Sequence, residues 1–144
     1  MREGSWRRAA EEDLPALELF LRVHEAEAVG FVSRLIDFES RLGRYRLRLP
    51  RSPRSSLWIY SCLEGPRIVR GAALCTSTGL AFPLFPEEGL GSDAELAALL
   101  AARRFEAASI VGPAREVERL ERALSLKAIV AVDYRLMYFW SSLV

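Results

Sequence analysis

The spacing of apolar positions changes period along the chain, and the changes outline its elements. Trp6-Arg7-Arg8-Ala9 reads as a short first strand. Glu11, Glu12 and Asp13 then put negative charge where a helix N-terminus favours it, and Pro15 is tolerated in a first turn. Leu14, Leu17, Phe20, Leu21 and Val23 follow at helical spacing. A second helical pattern runs through Phe31, Val32, Leu35, Ile36, Phe38 and Leu42, with Gly43 as its stop and a joint near Gly30.

Beyond residue 56 the period shortens. Leu57–Leu63 and Ile68–Cys75 read as strands around the turn residues Glu64-Gly65-Pro66-Arg67. Leu80–Phe85 is a third strand of the same meander, and Pro83 in it marks an early end or a missing ladder bond. A helix through Leu96, Leu99 and Leu100 ends near Arg103-Arg104. Ala107–Val111 lacks polar alternation, which predicts a short buried central strand. Gly112-Pro113 opens a last helix whose apolar stripe is Val117, Leu120 and Leu124. Its other face carries Arg115, Glu116, Glu118, Arg119, Glu121 and Arg122, expected to be solvated and paired at i,i+4. Ala128–Val132 and Tyr134–Trp140 close the pattern as strands. The predicted order is β-α-α-β-β-β-α-β-α-β-β, a mixed central sheet flanked by helices in one α/β domain over residues 1–144.

Composition narrows the classes. No apolar run reaches the ~18 residues that cross a bilayer, and no apolar signal segment follows Met1, so no membrane partner and a reducing cytoplasm are expected. Cys62 and Cys75 stand apart in apolar surroundings, as buried thiols do, and no metal site is read from them. His24, the lone histidine, reads as a core-edge residue on the first helix. Lys127 is the only lysine among 20 basic residues, so the basic charge is almost all arginine. Arg41, Arg44, Arg46, Arg48, Arg51 and Arg54 lie in an acid-free stretch with Tyr45. That stretch reads as a solvated connector, or alternatively as a nucleic-acid-binding face.

Candidate chemistry gathers at Pro86-Glu87-Glu88-Gly89-Leu90-Gly91-Ser92, a Gly-x-Gly turn between a strand and a helix. Backbone N–H groups at such a turn can cradle a phosphate, because glycine admits the ligand and the helix start is electropositive. Two glutamates and no basic residue occupy this turn.

The element order resembles the GNAT superfamily of acyl-CoA-dependent N-acyltransferases over nearly the whole chain. Arg8–Leu17 resembles that family's opening of an arginine strand and an acidic helix start, and Glu64–Leu74 its second hairpin. Pro86–Gly91 falls where the family carries its pyrophosphate loop, Gln/Arg-x-x-Gly-x-Gly/Ala. The resemblance implies acetyl-CoA or CoA along Leu80–Leu84, with Leu84, Gly89, Leu90, Gly91 and Ser92 as cofactor-binding residues. It also implies a small amine or protein amine as acceptor.

The departures are specific. Pro86 replaces the loop's Gln or Arg donor, and Glu87 and Glu88 oppose a pyrophosphate. The helix from Pro113 to Leu124 lacks the tyrosine that protonates the departing thiolate in many members. Asp133 and Tyr134 have no assignable role, and the catalytic residues stay unknown. Ser109–Pro113 looks like the junction in the non-catalytic N-terminal GNAT-like domains of some two-domain acetyltransferases. The expectation is therefore a GNAT-like domain degenerate in its acetyl-CoA loop. It would serve as a ligand-sensing or scaffolding module, with a second GNAT domain or a homodimer as partner. An active N-acetyltransferase is the alternative.

Overall fold

Strand-forming residues between 56 and 84 build the centre of the molecule. The computed structural model describes residues 4–39, 43–62, 68–85 and 93–126. In chain order these form β1 (Gly4–Arg8), α1 (Leu14–Val23), α2 (Val29–Val32), β2 (Ile36–Glu39), β3 (Arg44–Leu47) and β4 (Ser56–Cys62). Then come β5 (Val69–Cys75), β6 (Leu80–Leu84), α3 (Asp93–Ala102), β7 (Ser109–Ile110) and α4 (Ala114–Ala123). The fold class is mixed α/β. A five-stranded sheet runs β1-β4-β5-β6-β7, antiparallel except for the parallel pair β6–β7. The closing strands expected at 128–132 and 134–140 lie outside the described residues.

Alternation sorts the strand side chains onto two faces. Ile59, Ala72, Leu74, Phe82 and Leu84 pack under Leu14, Leu17, Phe20 and Leu21 of α1 and Phe31 of α2. Trp58, Tyr60, Ala73, Cys75 and Phe85 pack under Leu96 and Leu100 of α3 and Leu120 of α4. Trp6 joins this second cluster, edge-on to Tyr60 and Phe85, with its Nε1 buried and without an acceptor among the described residues. Burial of Cys75 pushes its thiol up to about 12, against the opposing charge of Arg103. Among the described residues no helix is long and apolar enough to cross a membrane.

Three local expectations change. Val23 is 78% exposed, because three residues beyond Leu21 the helix brings His24, not Val23, back to the core edge. The half-buried His24 ring lies 4.8 Å from Phe20. The second helix is short: α2 stops at Val32, and the chain turns into the hairpin β2–β3, with Gly43 in the turn. The reason is period. Ile36-Asp37-Phe38-Glu39 and Arg44-Tyr45-Arg46-Leu47 both alternate, and their register sets Ile36 against Leu47 and Asp37 against Arg46. The arginine-rich segment is thus part of an antiparallel hairpin, not simply a connector. The third change is at β7, where small residues leave little to bury. It is only two residues long, with Ser109 exposed and Ile110 half-buried, so it is not the fully buried strand expected; it pairs with β6, and the strands expected after it lie outside the described residues.

Gly79 joins the sheet's two pairing modes. It turns β5 into β6 at φ +87°, and its carbonyl accepts the amides of Ala108 (2.7 Å) and Ser109 (3.2 Å), seating β7. A Cβ there would lie 3.0 Å from both the Ala108 Cβ and the Glu106 carbonyl.

Candidate functional site

The end of β6 is where the sequence concentrates its candidate chemistry. The Thr76 amide donates to the Leu80 carbonyl (2.8 Å), which fixes the alternation of the strand. Leu80, Phe82 and Leu84 therefore turn their main-chain polar groups toward β5, and Ala81, Pro83 and Phe85 turn theirs toward β7. The Val111 amide donates to the Ala81 carbonyl at 2.9 Å. The next bond would need an N–H on Pro83, which has none, so the β6–β7 ladder stops. The missing ladder bond read from the sequence lies on this side. Gly112 then runs against the Pro83 carbonyl, where an added Cβ would lie 3.0 Å from the oxygen.

Beyond the gap the polar groups meet partners within the chain. Arg119 of α4 donates from Nη1 to the Phe85 carbonyl at 3.0 Å. The same guanidinium grips Asp93, at the start of α3, through Nε (3.0 Å) and Nη2 (2.8 Å). Its Cζ also lies 4.9 Å from the Phe85 ring centroid. With side-chain exposures of 16% and 30%, the pair is largely shielded, which strengthens a bidentate charge-assisted contact. Glu95, two residues further on, accepts the Trp6 amide of β1 at 2.5 Å. Both first-turn carboxylates of α3 thus complement that helix's positive end from within the chain.

The expectation of a wholly solvated charged face on α4 is corrected at this point. Arg119 turns inward, and its neighbour Glu116 is half-buried. Burial pushes the Glu116 carboxyl above its usual range and Glu27 adds to this, while its own backbone amide, Arg119 and Arg115 pull it down.

Of the expected cofactor residues, Leu84 is buried, with 1% exposed, inside the cluster beneath α1 and α2. Its main-chain groups face β5, not the β7 gap. Gly89, Leu90, Gly91 and Ser92 lie outside the described residues, as do Pro86, Glu87 and Glu88. Asp93 and Arg119 were not expected as a unit. They are 26 residues apart on different helices, and no local spacing signals such a contact.

The β2–β3 hairpin answers the nucleic-acid alternative in part. Asp37 receives hydrogen bonds from Arg48 (2.7 Å) and from Arg51. Desolvation, the largest single influence, pushes the Asp37 carboxyl up, but the hydrogen bonds and charges of the two arginines together hold it below its usual range. Part of the arginine charge is therefore answered within the chain. No protein-family model, curated protein or solved structure matches the chain.

Proposed function

We propose that this chain is a GNAT-like domain that has given up acyl transfer and serves as a ligand-sensing or scaffolding module. One observation carries the reading: Arg119 bridges Phe85 and Asp93 across the end of β6, where an acyl-CoA would need open amides and an unoccupied helix start. The order of the elements supports the fold side of the proposal. Two helices, a three-strand meander, a crossover helix and a parallel strand follow one another, with the β2–β3 hairpin as an addition.

The test is a titration with acetyl-CoA and coenzyme A, read by thermal unfolding. A ligand at 100 times its dissociation constant adds about 2.7 kcal/mol, a shift of several degrees. The expected outcome is no shift at millimolar ligand. A shift would move the assignment to the active N-acetyltransferase, which the Pro83 gap favours, since an unzipped parallel pair is what a thioester cofactor would need.

A further inference from the structure

A second region, on the other face of the sheet, has the reverse character. A cavity of about 360 Å³ opens between the end of α2, the segment after β3 and the β5–β6 turn. Its size falls within the range of small-molecule pockets, ~300–1,000 Å³. Leu74 and Leu80 give it an apolar wall, and Arg34, Arg51, Ser55 and Thr78 ring it with donors.

Among the described residues no carboxylate lines this cavity. Arg34 stacks over Phe82, with Cζ 4.5 Å from the ring centroid, and among the described residues it bonds only the Gly30 carbonyl, at 3.2 Å. No acid among the described residues pairs with it, and most of its N–H groups remain available. Arg51 reaches Asp37, but Asp37 is shared with Arg48, so one carboxylate answers two guanidiniums. The local balance of Arg34, Arg48 and Arg51 against Asp37 is positive. Ser55 accepts the Ser77 amide at 3.0 Å, which leaves its own O–H to donate. Two arginines with planar donor forks suit an oxyanion, and the leucine wall suits a short hydrocarbon attached to it.

We infer that this cavity binds a small amphipathic anion, a carboxylate or phosphomonoester with a compact apolar group, held by Arg34 and Arg51 against Leu74 and Leu80. The inference does not depend on the GNAT reading, because the site lies on the opposite face from Arg119.

Calorimetric titration of the whole chain tests it, with hexanoate and phenyl phosphate as probes and with acetate and hexylamine as controls. Saturable binding of hexanoate, phenyl phosphate or both is expected, and the two arms tell a carboxylate site from a phosphate site. Arg34→Ala and Arg51→Ala should each weaken that binding by roughly tenfold. Both side chains are exposed, so both variants should fold, and circular dichroism verifies this. Four results would overturn the proposal: neither anion binds, hexylamine binds as well, acetate matches hexanoate, or affinity survives both substitutions.

Discussion

Two groups of arginines lie on opposite faces of the sheet, toward opposite ends of β6, and they differ in what their guanidiniums face. Arg119 is shielded and meets an internal carboxylate and an internal carbonyl. Arg34 and Arg51 are exposed beside a cavity, with one acid shared between Arg48 and Arg51 and, among the described residues, none for Arg34. Residue type alone does not make an anion site. What decides is whether the fold has already supplied the anion.

The contrast is tested most severely at a second arginine of the first kind. Arg7 forms a bidentate pair with Asp13 at 2.7 and 2.6 Å, and Asp13 is only 1% exposed. Arg7→Ala leaves that carboxylate buried with the Ala10 amide as a remaining donor. A loss of about 3 kcal/mol is expected in urea unfolding. Arg119→Ala comes next. It uncaps the Phe85 carbonyl but leaves Asp93 some access to water, so about 2 kcal/mol is expected. An Arg119 variant with the wild-type midpoint would erase the distinction between the two groups.

The exposed arginines should cost much less. Arg34→Ala removes a cation–π contact and Arg51→Ala a surface ion pair, so each should lower stability by under about 1 kcal/mol. A larger loss at either would mean that the residue belongs with Arg119 as a structural clamp. The smallest effect is expected at Glu116, whose folded carboxyl holds its proton to higher pH than the unfolded chain's. The stability linked to it is present below the unfolded value, about 4.3, and is lost as pH rises through the folded value. Glu116→Gln should therefore melt slightly above wild type at neutral pH and converge with it below about pH 4. Melting curves across that range check the sign.

Much of the fold was legible because its strands and helices carry their periods openly. Leu14, Leu17, Phe20 and Leu21 could belong only to a helix, and the meander from Leu57 to Phe85 carries its own turn residues. The β2–β3 hairpin was missed: Arg44-Tyr45-Arg46-Leu47-Arg48-Leu49 does alternate, but its charge reads as readily as a solvated stretch. Phe31, Val32, Leu35 and Ile36 fit a helical spacing equally well, so local pattern does not fix where α2 ends. Pro83 announced the missing ladder bond, but not which neighbour would lack it. The meeting of Asp93 with Arg119 was invisible, since it comes from the crossover that lays α4 beside α3. Such contacts follow from topology and leave no trace in a window of sequence.

Gly79 has a consequence of its own for how change could spread through this molecule. Its turn closes a hairpin between near neighbours, and its carbonyl moors a strand that arrives after the α3 crossover. Short-range and long-range architecture therefore share a single peptide unit. A side chain forced in at that position would disturb both kinds of pairing together, so neither half of the sheet can drift there independently of the other.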